Sequence, residues 1–164
     1  MVKIITKTVF TVLLRLLALG ASLAATIVTV TNHQTIYILN FSFDAKYSYA
    51  PAFVFYMIAN AIVAGYSLVV LFIPKGCKLW SLILALDVVM AMLLSSSISA
   101  AGAIGYVAKK GNSHIGWVAI CEQFSKFCNH GTGAIAAGVF GAIIYLVIVL
   151  KSIHAIITYD PQIL

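Results

Sequence analysis

Four long apolar blocks constrain what this chain can fold into more than any motif does. They fall at about residues 8–30, 51–73, 80–106 and 131–154. Crossing the hydrocarbon core of a bilayer takes about 20 residues of helix, and each block is long enough. The composition agrees. Of the residues 63% are hydrophobic and 9% charged, with mean hydropathy +1.09, whereas about a quarter of the residues of a typical soluble domain are charged. The sequence therefore predicts an all-α membrane protein: a single domain over 1–164, built as a bundle of four transmembrane helices. Two long loops, at about 31–50 and 107–130, and a tight turn near Pro74–Leu79 join the helices. A cleavable signal is the competing reading of the first block, because Ala18-Leu19-Gly20 supplies small residues. That block is too long for a signal's apolar region, and Arg15 interrupts it.

An even number of spans puts both termini on one side. With the termini in the cytosol, Lys3, Lys7, Lys75, Lys78 and Lys151 lie inside and Lys46, Lys109, Lys110 and Lys126 outside. That is a shallow positive-inside bias. Two features of the loops reinforce it. Asn40-Phe41-Ser42 is a glycosylation sequon in the first long loop, and Cys121 and Cys128 share the second, where an oxidising exterior permits a disulfide. Both long loops are expected outside and both termini in the cytosol. The net charge of +6 does not point to nucleic acid, since the ten basic residues are scattered along the chain. Basic groups beside spans serve orientation and contact with anionic lipid.

Two charges lie deep inside the blocks. Arg15 is about seven residues into the first span and Asp87 about seven into the third, each roughly 10 Å deep from the same side. An isolated charge at that depth is costly, and a guanidinium can bind a carboxylate through two parallel hydrogen bonds. Equal depth and opposite sign predict an Arg15–Asp87 pair that makes the first and third helices neighbours in register. The competing reading is a proton or cation site at Asp87, as in a small transporter or channel. Such proteins usually show broken helices or repeated halves, but Pro51, Pro74 and Pro161 stand at or beyond span ends and no internal repeat is visible.

Small residues recur at helical spacing: Gly20 and Ala24, Ala61 and Gly65, Ser95, Ser99 and Ala103, and Ala134, Gly138 and Ala142. Such faces let helix backbones approach closely, either within one bundle or between protomers. In the first loop, Ile36/Ile38, Phe41/Phe43 and Tyr47/Tyr49 alternate with period two and predict short extended segments. In the second, Trp117, Ile120, Phe124 and Phe127 follow helix-like spacing and read as buried loop packing. Seven helical residues would separate Cys121 from Cys128 by roughly 10 Å, beyond the roughly 7 Å a disulfide tolerates between Cα atoms. The segment must therefore fold back or kink if they bond; two free thiols, or zinc with His114 or His130, are the alternatives. Cys77, beside the membrane, is a candidate for palmitoylation, and an ordinary turn residue is the alternative. His33, His114, His130 and His154 are isolated, with no nucleophile–base pair. No catalytic activity, metal or cofactor is expected.

The segments FDAKYSYAPAFVFYMIANAIVAGYSL and GNSHIGWVAICEQFSKFC, with Arg in the first span and Asp in the third, give the chain its resemblance to a family. It resembles the plant Casparian strip membrane protein-like (CASP-like) proteins, which are related to the four-helix MARVEL domain. The resemblance covers most of the chain in order, and the second-loop W-x-x-x-C-x-x-x-x-x-x-C pattern is fairly specific. It implies a plasma-membrane protein that associates with itself and with related members and forms scaffolds, some of which recruit extracellular wall-modifying enzymes. On that pattern Arg15 and Asp87 match the family's intramembrane charges, and Cys121 and Cys128 its second-loop cysteines, expected to be disulfide-bonded. The short first-loop signature of the strip-forming members is not identifiable, so the resemblance points to the broader branch.

Overall fold

A computed structural model of the protein describes residues 2–38, 41–73 and 80–159. Asn40 and Cys77, with the sequon and the acylation candidate, lie outside the described residues. Four helices dominate: α1 (Val2–Thr31), α2 (Pro51–Leu71), α3 (Trp80–Lys110) and α4 (Ser125–Tyr159). Each contains a stretch long and apolar enough to cross a membrane. Between α1 and α2 stand two strands, β1 (His33–Ile38) and β2 (Phe41–Lys46).

The strands pair antiparallel with Ile36 opposite Phe43 and Ile38 opposite Phe41, as the period-two alternation predicts. Thr35 donates its hydroxyl to Asp44 at 2.6 Å across the pair. That hydrogen bond, with help from the nearby Lys46 ammonium, holds the exposed Asp44 carboxyl below its usual pKa. The extended pattern does not continue to Tyr47 and Tyr49. Those residues form one 3-10 turn, Tyr47–Tyr49, that delivers the chain to Pro51 at the start of α2. Proline suits a first helical turn because the amide hydrogen it lacks would have no partner there.

The second loop departs further from expectation. No helix runs over 117–124, and of the proposed stripe only Phe127 is buried, while Trp117 and Ile120 are exposed. The cause is local. Gly111 and Gly116 adopt φ of 68° and 73°, a region open to glycine and costly to other residues. They turn the chain into a short bridge in which Asn112 and Trp117 exchange backbone hydrogen bonds of 2.8 and 3.0 Å. A Cβ on Gly111 would stand 2.8 Å from the Trp117 carbonyl oxygen, so the turn needs glycine for space as well as for φ. The amides of Ile120 and Cys121 then donate to Ala108 at the end of α3.

The helices form a ring. α1 packs on α2 and α4, and α3 packs on the same two, so α1 and α3 stand diagonally across the bundle. The expectation that the first and third helices are neighbours is corrected here. Matched depth constrains the height of two residues in the membrane but not their positions around the ring. Two clusters fill the interior. Ala18, Val63, Leu94, Ile144, Tyr145 and Ile148 form one, and Ala25, Phe53, Tyr56, Ala101 and Ala134 the other, nearer the loops.

Candidate functional site: a polar column inside the bundle

The buried face of α1 is Arg15, Ala18, Ser22, Ala25 and Thr29, with Asn32 just beyond the helix end. The spacing alternates three and four residues, the repeat of a helix that packs along a nearly straight seam. On α2 the buried Tyr56, Asn60, Val63 and Ser67 make the corresponding stripe. The large aliphatic side chains of these helices, such as Leu13, Leu16, Ile62 and Val69, point outward. Lipid accommodates them, whereas the polar groups need protein partners. The bundle thus carries a polar column along its axis.

At the end away from the loops, the Arg15 guanidinium grips Asp87 with both arms. Nη1 donates to Oδ1 at 3.1 Å and Nη2 to Oδ2 at 2.6 Å. The side chains are 5% and 1% exposed, so the pair is almost wholly removed from solvent and lipid. Its partners run from α1 to the diagonal helix α3, a distance that the long arginine stem can bridge. Tyr66 of α2 places its hydroxyl 2.9 Å from Asp87 Oδ1 and 3.0 Å from the Ile83 carbonyl. Asp87 therefore receives groups from two other helices. Ser67 of α2 and Tyr145 of α4 hydrogen-bond to each other, hydroxyl to hydroxyl, and bring in the fourth helix.

Nearer the loops, Tyr56 donates its hydroxyl to the Ala134 carbonyl at 2.6 Å. Its ring lies against Gly138, where a Cβ would collide with the Tyr56 hydroxyl. Asn60 donates to the Tyr56 carbonyl at 2.9 Å, while Asn60 Oδ1 and Ser22 Oγ are buried without a protein partner. At the loop end, Asn32 donates to the Phe127 carbonyl at 2.9 Å, and Gln34 accepts the Phe127 amide at 3.0 Å. The Gln34 bond satisfies an amide of the first turn of α4 that has no acceptor within the helix, and the Asn32 bond adds a second donor to the Phe127 carbonyl; α4 begins at Ser125 instead of near residue 131. Cys128 sits in that first turn, bonded to Cys121 with Cα atoms 5.7 Å apart. The chain doubles back between them because residues 121–123 form a turn and not a helix.

The structure thus brings Arg15 to Asp87 and Cys121 to Cys128. It separates the small-residue faces. Gly138, with Ala134, packs inside, whereas Gly20, Ala24, Gly65 and Ser99 lie on the outer surface. A Cβ on Gly20 or Gly65 would meet nothing within 4 Å. The hydroxyls of Ser95 and Ser99 bond back to carbonyls of α3 itself, which makes them tolerable against lipid. Tyr56, Tyr66, Ser67 and Tyr145 were not singled out from the sequence. The signal for two of them, Tyr56 and Ser67, was the stripe of hydroxyl and amide side chains that they form with Asn60 on one face of α2. Among the described residues no group of three His, Cys, Asp or Glu side chains could hold a metal ion.

Comparison with known proteins adds a lineage to this geometry. The Casparian strip membrane protein domain matches residues 6–144. The chain is 54% identical over 155 residues to CASP-like protein 1C1 of Vitis vinifera, covering 94% of this chain and 98% of that one. It is 47% identical over 164 residues to CASP-like protein 1C1 of Arabidopsis thaliana, covering 100% and 98%. It is 49% identical over 148 residues to CASP-like protein 1C2 of Populus trichocarpa, covering 90% and 91%. No solved structure matches the chain.

Proposed function

Because the chain belongs to the CASP-like family of membrane proteins, we propose that it is a non-enzymatic, self-associating scaffold of the plasma membrane. It organises a lateral membrane domain from copies of itself and of related members. Its termini face the cytosol, and its two long loops offer a surface to extracellular partners, wall-modifying enzymes among them.

One observation carries this reading. Gly20 and Ala24 on α1, Ala61 and Gly65 on α2, and Ser95, Ser99 and Ala103 on α3 all face away from the bundle. The bundle does not use them. Between helices in lipid, close backbone approach across small residues replaces the hydrophobic drive that water would provide, so these stripes suit contact between protomers. The loop surface adds a second apolar region, with Trp117 53% and Val118 78% exposed. The alternative, a proton- or ion-coupled transporter or channel using Asp87, has no comparable support. Asp87 accepts from Arg15 twice and from Tyr66 once, which leaves little of the carboxylate for a travelling ion.

The test is subunit counting by stepwise photobleaching of the labelled protein in lipid nanodiscs. Wild type should form oligomers. Gly20→Leu, Gly65→Leu and Ser99→Leu together should shift it toward monomer while the melting temperature holds. A monomeric wild type, or an oligomer indifferent to all three changes, would overturn the proposal. Proton flux into liposomes, abolished by Asp87→Asn with assembly intact, would establish the transporter instead.

A further inference from the structure

On the loop side of the membrane, a groove opens beside the contact between α3 and α4. Gly102, Gly105, Tyr106 and Lys109 form one stripe of α3, spaced three, one and three residues apart. Cys128, Gly131, Thr132 and Ile135 form the facing stripe of α4. Between them lies a cavity of about 440 Å³, within the roughly 300–1,000 Å³ typical of ligand pockets. Two properties of its wall are particular. A Cβ at Gly102 would meet no atom within 4 Å, so the wall is open there and a larger side chain would project into the gap. The wall is also graded along the membrane normal. Gly102 and Ile135 line the deep end, and Lys109, Ser125 and Asn129 the end nearest the loops, where Phe53 packs against Phe127. Among the described residues of the wall, Lys109 is the only charged side chain.

We propose that this groove is a binding site for one phospholipid of the leaflet on the loop side. The site holds an acyl chain along Gly102 and Gly105 and an anionic phosphate at Lys109. Depth supports the assignment. Lys109 stands at the last turn of α3, and Gly102 is seven residues, roughly 10 Å, further in. A headgroup at the first therefore places the upper part of its acyl chain at the second. Tyr106, between them and 67% exposed, stands where tyrosines gather at membrane–water boundaries. Charge complementarity selects the headgroup. Lys109 is followed by Lys110 at the helix end, and basic residues at a bilayer surface each favour anionic lipid by about a fivefold factor. The Cys121–Cys128 disulfide lines the same cavity, so the bridge that folds the second loop back also shapes the mouth of the lipid site.

Native mass spectrometry of the full-length protein released from detergent, titrated with phosphatidylglycerol and with phosphatidylcholine, tests this. Wild type should retain one phosphatidylglycerol in preference to phosphatidylcholine. Gly102→Leu, which fills space that nothing occupies, should cut retention at least tenfold at an unchanged melting temperature. Thr132→Phe, which narrows the groove from α4, should do the same. Lys109→Gln should reduce phosphatidylglycerol binding about fivefold and weaken the preference by the same factor, leaving what Lys110 supplies. Retention unaltered in either groove variant, a preference undiminished by Lys109→Gln, or no lipid held by wild type would each overturn the proposal.

Discussion

Gly138 of α4 lies directly under the Tyr56 ring of α2, and the Tyr56 hydroxyl reaches past it to the Ala134 carbonyl at 2.6 Å. The missing side chain and the hydrogen bond are one feature, since a Cβ at 138 would occupy the place of the hydroxyl.

Gly138→Ala should therefore destabilise the bundle by about 1–3 kcal/mol, the usual cost of overpacking, even though alanine is the better helix former. Gly20→Ala and Gly65→Ala, on the open surface, should be neutral or slightly stabilising. Thermal melting of the three variants in one detergent checks this. Equal effects at all three positions would contradict it.

The bridge across the diagonal depends on geometry and not on charge alone. Lysine at position 15 would keep the positive charge but lose the fork that engages both oxygens of Asp87. Arg15→Lys should lower the melting temperature clearly. Tyr66→Phe, which removes one of the hydrogen bonds to Asp87, should cost less, about 1 kcal/mol for a hydrogen bond inside a membrane protein. A lysine variant as stable as wild type would contradict the account.

The second loop is held by its disulfide. Closing so short a loop stabilises by about 2–3 kcal/mol in the chain-entropy view. Cys121→Ser with Cys128→Ser should therefore lower the melting temperature and loosen residues 112–124, read as faster amide exchange there. Non-reducing mass spectrometry of protein taken from the cell surface should find the pair joined; two free thiols would overturn this.

Orientation has its own test. Epitope tags in each long loop should be reached by antibody on intact cells, and tags at either terminus only after permeabilisation. Cytosolic access to either loop would reverse the topology.

The spans, the shared depth of Arg15 and Asp87 and the strands around residues 33–46 were legible because each depends on a local quantity: apolar length, sequence distance from a span end, alternation of side chains. The azimuth of each helix was not. Small residues four apart on α1, Gly20 and Ala24, left open whether that face packs within the bundle or between protomers, and the buried face is Arg15, Ala18, Ser22, Ala25 and Thr29. In water the apolar stripe identifies the inside, but a bilayer removes that cue and polar groups mark the inside instead. The second loop misled for another reason. Trp117, Ile120, Phe124 and Phe127 are spaced as on a helix, but the positive φ of Gly111 and Gly116 had already set the chain on a different course.

The central claim is that the two intramembrane charges are a structural cross-brace between diagonal helices. The measurement that tests it most directly is a double-mutant cycle by thermal stability in one detergent: wild type, Arg15→Leu, Asp87→Leu and the double variant. Each single change strands a buried charge and should cost about 3–5 kcal/mol, whereas replacing both leaves no stranded charge and should recover much of that loss. If the double variant instead shows the sum of the two single losses, the residues are not coupled. The brace is then refuted, and Asp87 returns as a candidate for transport.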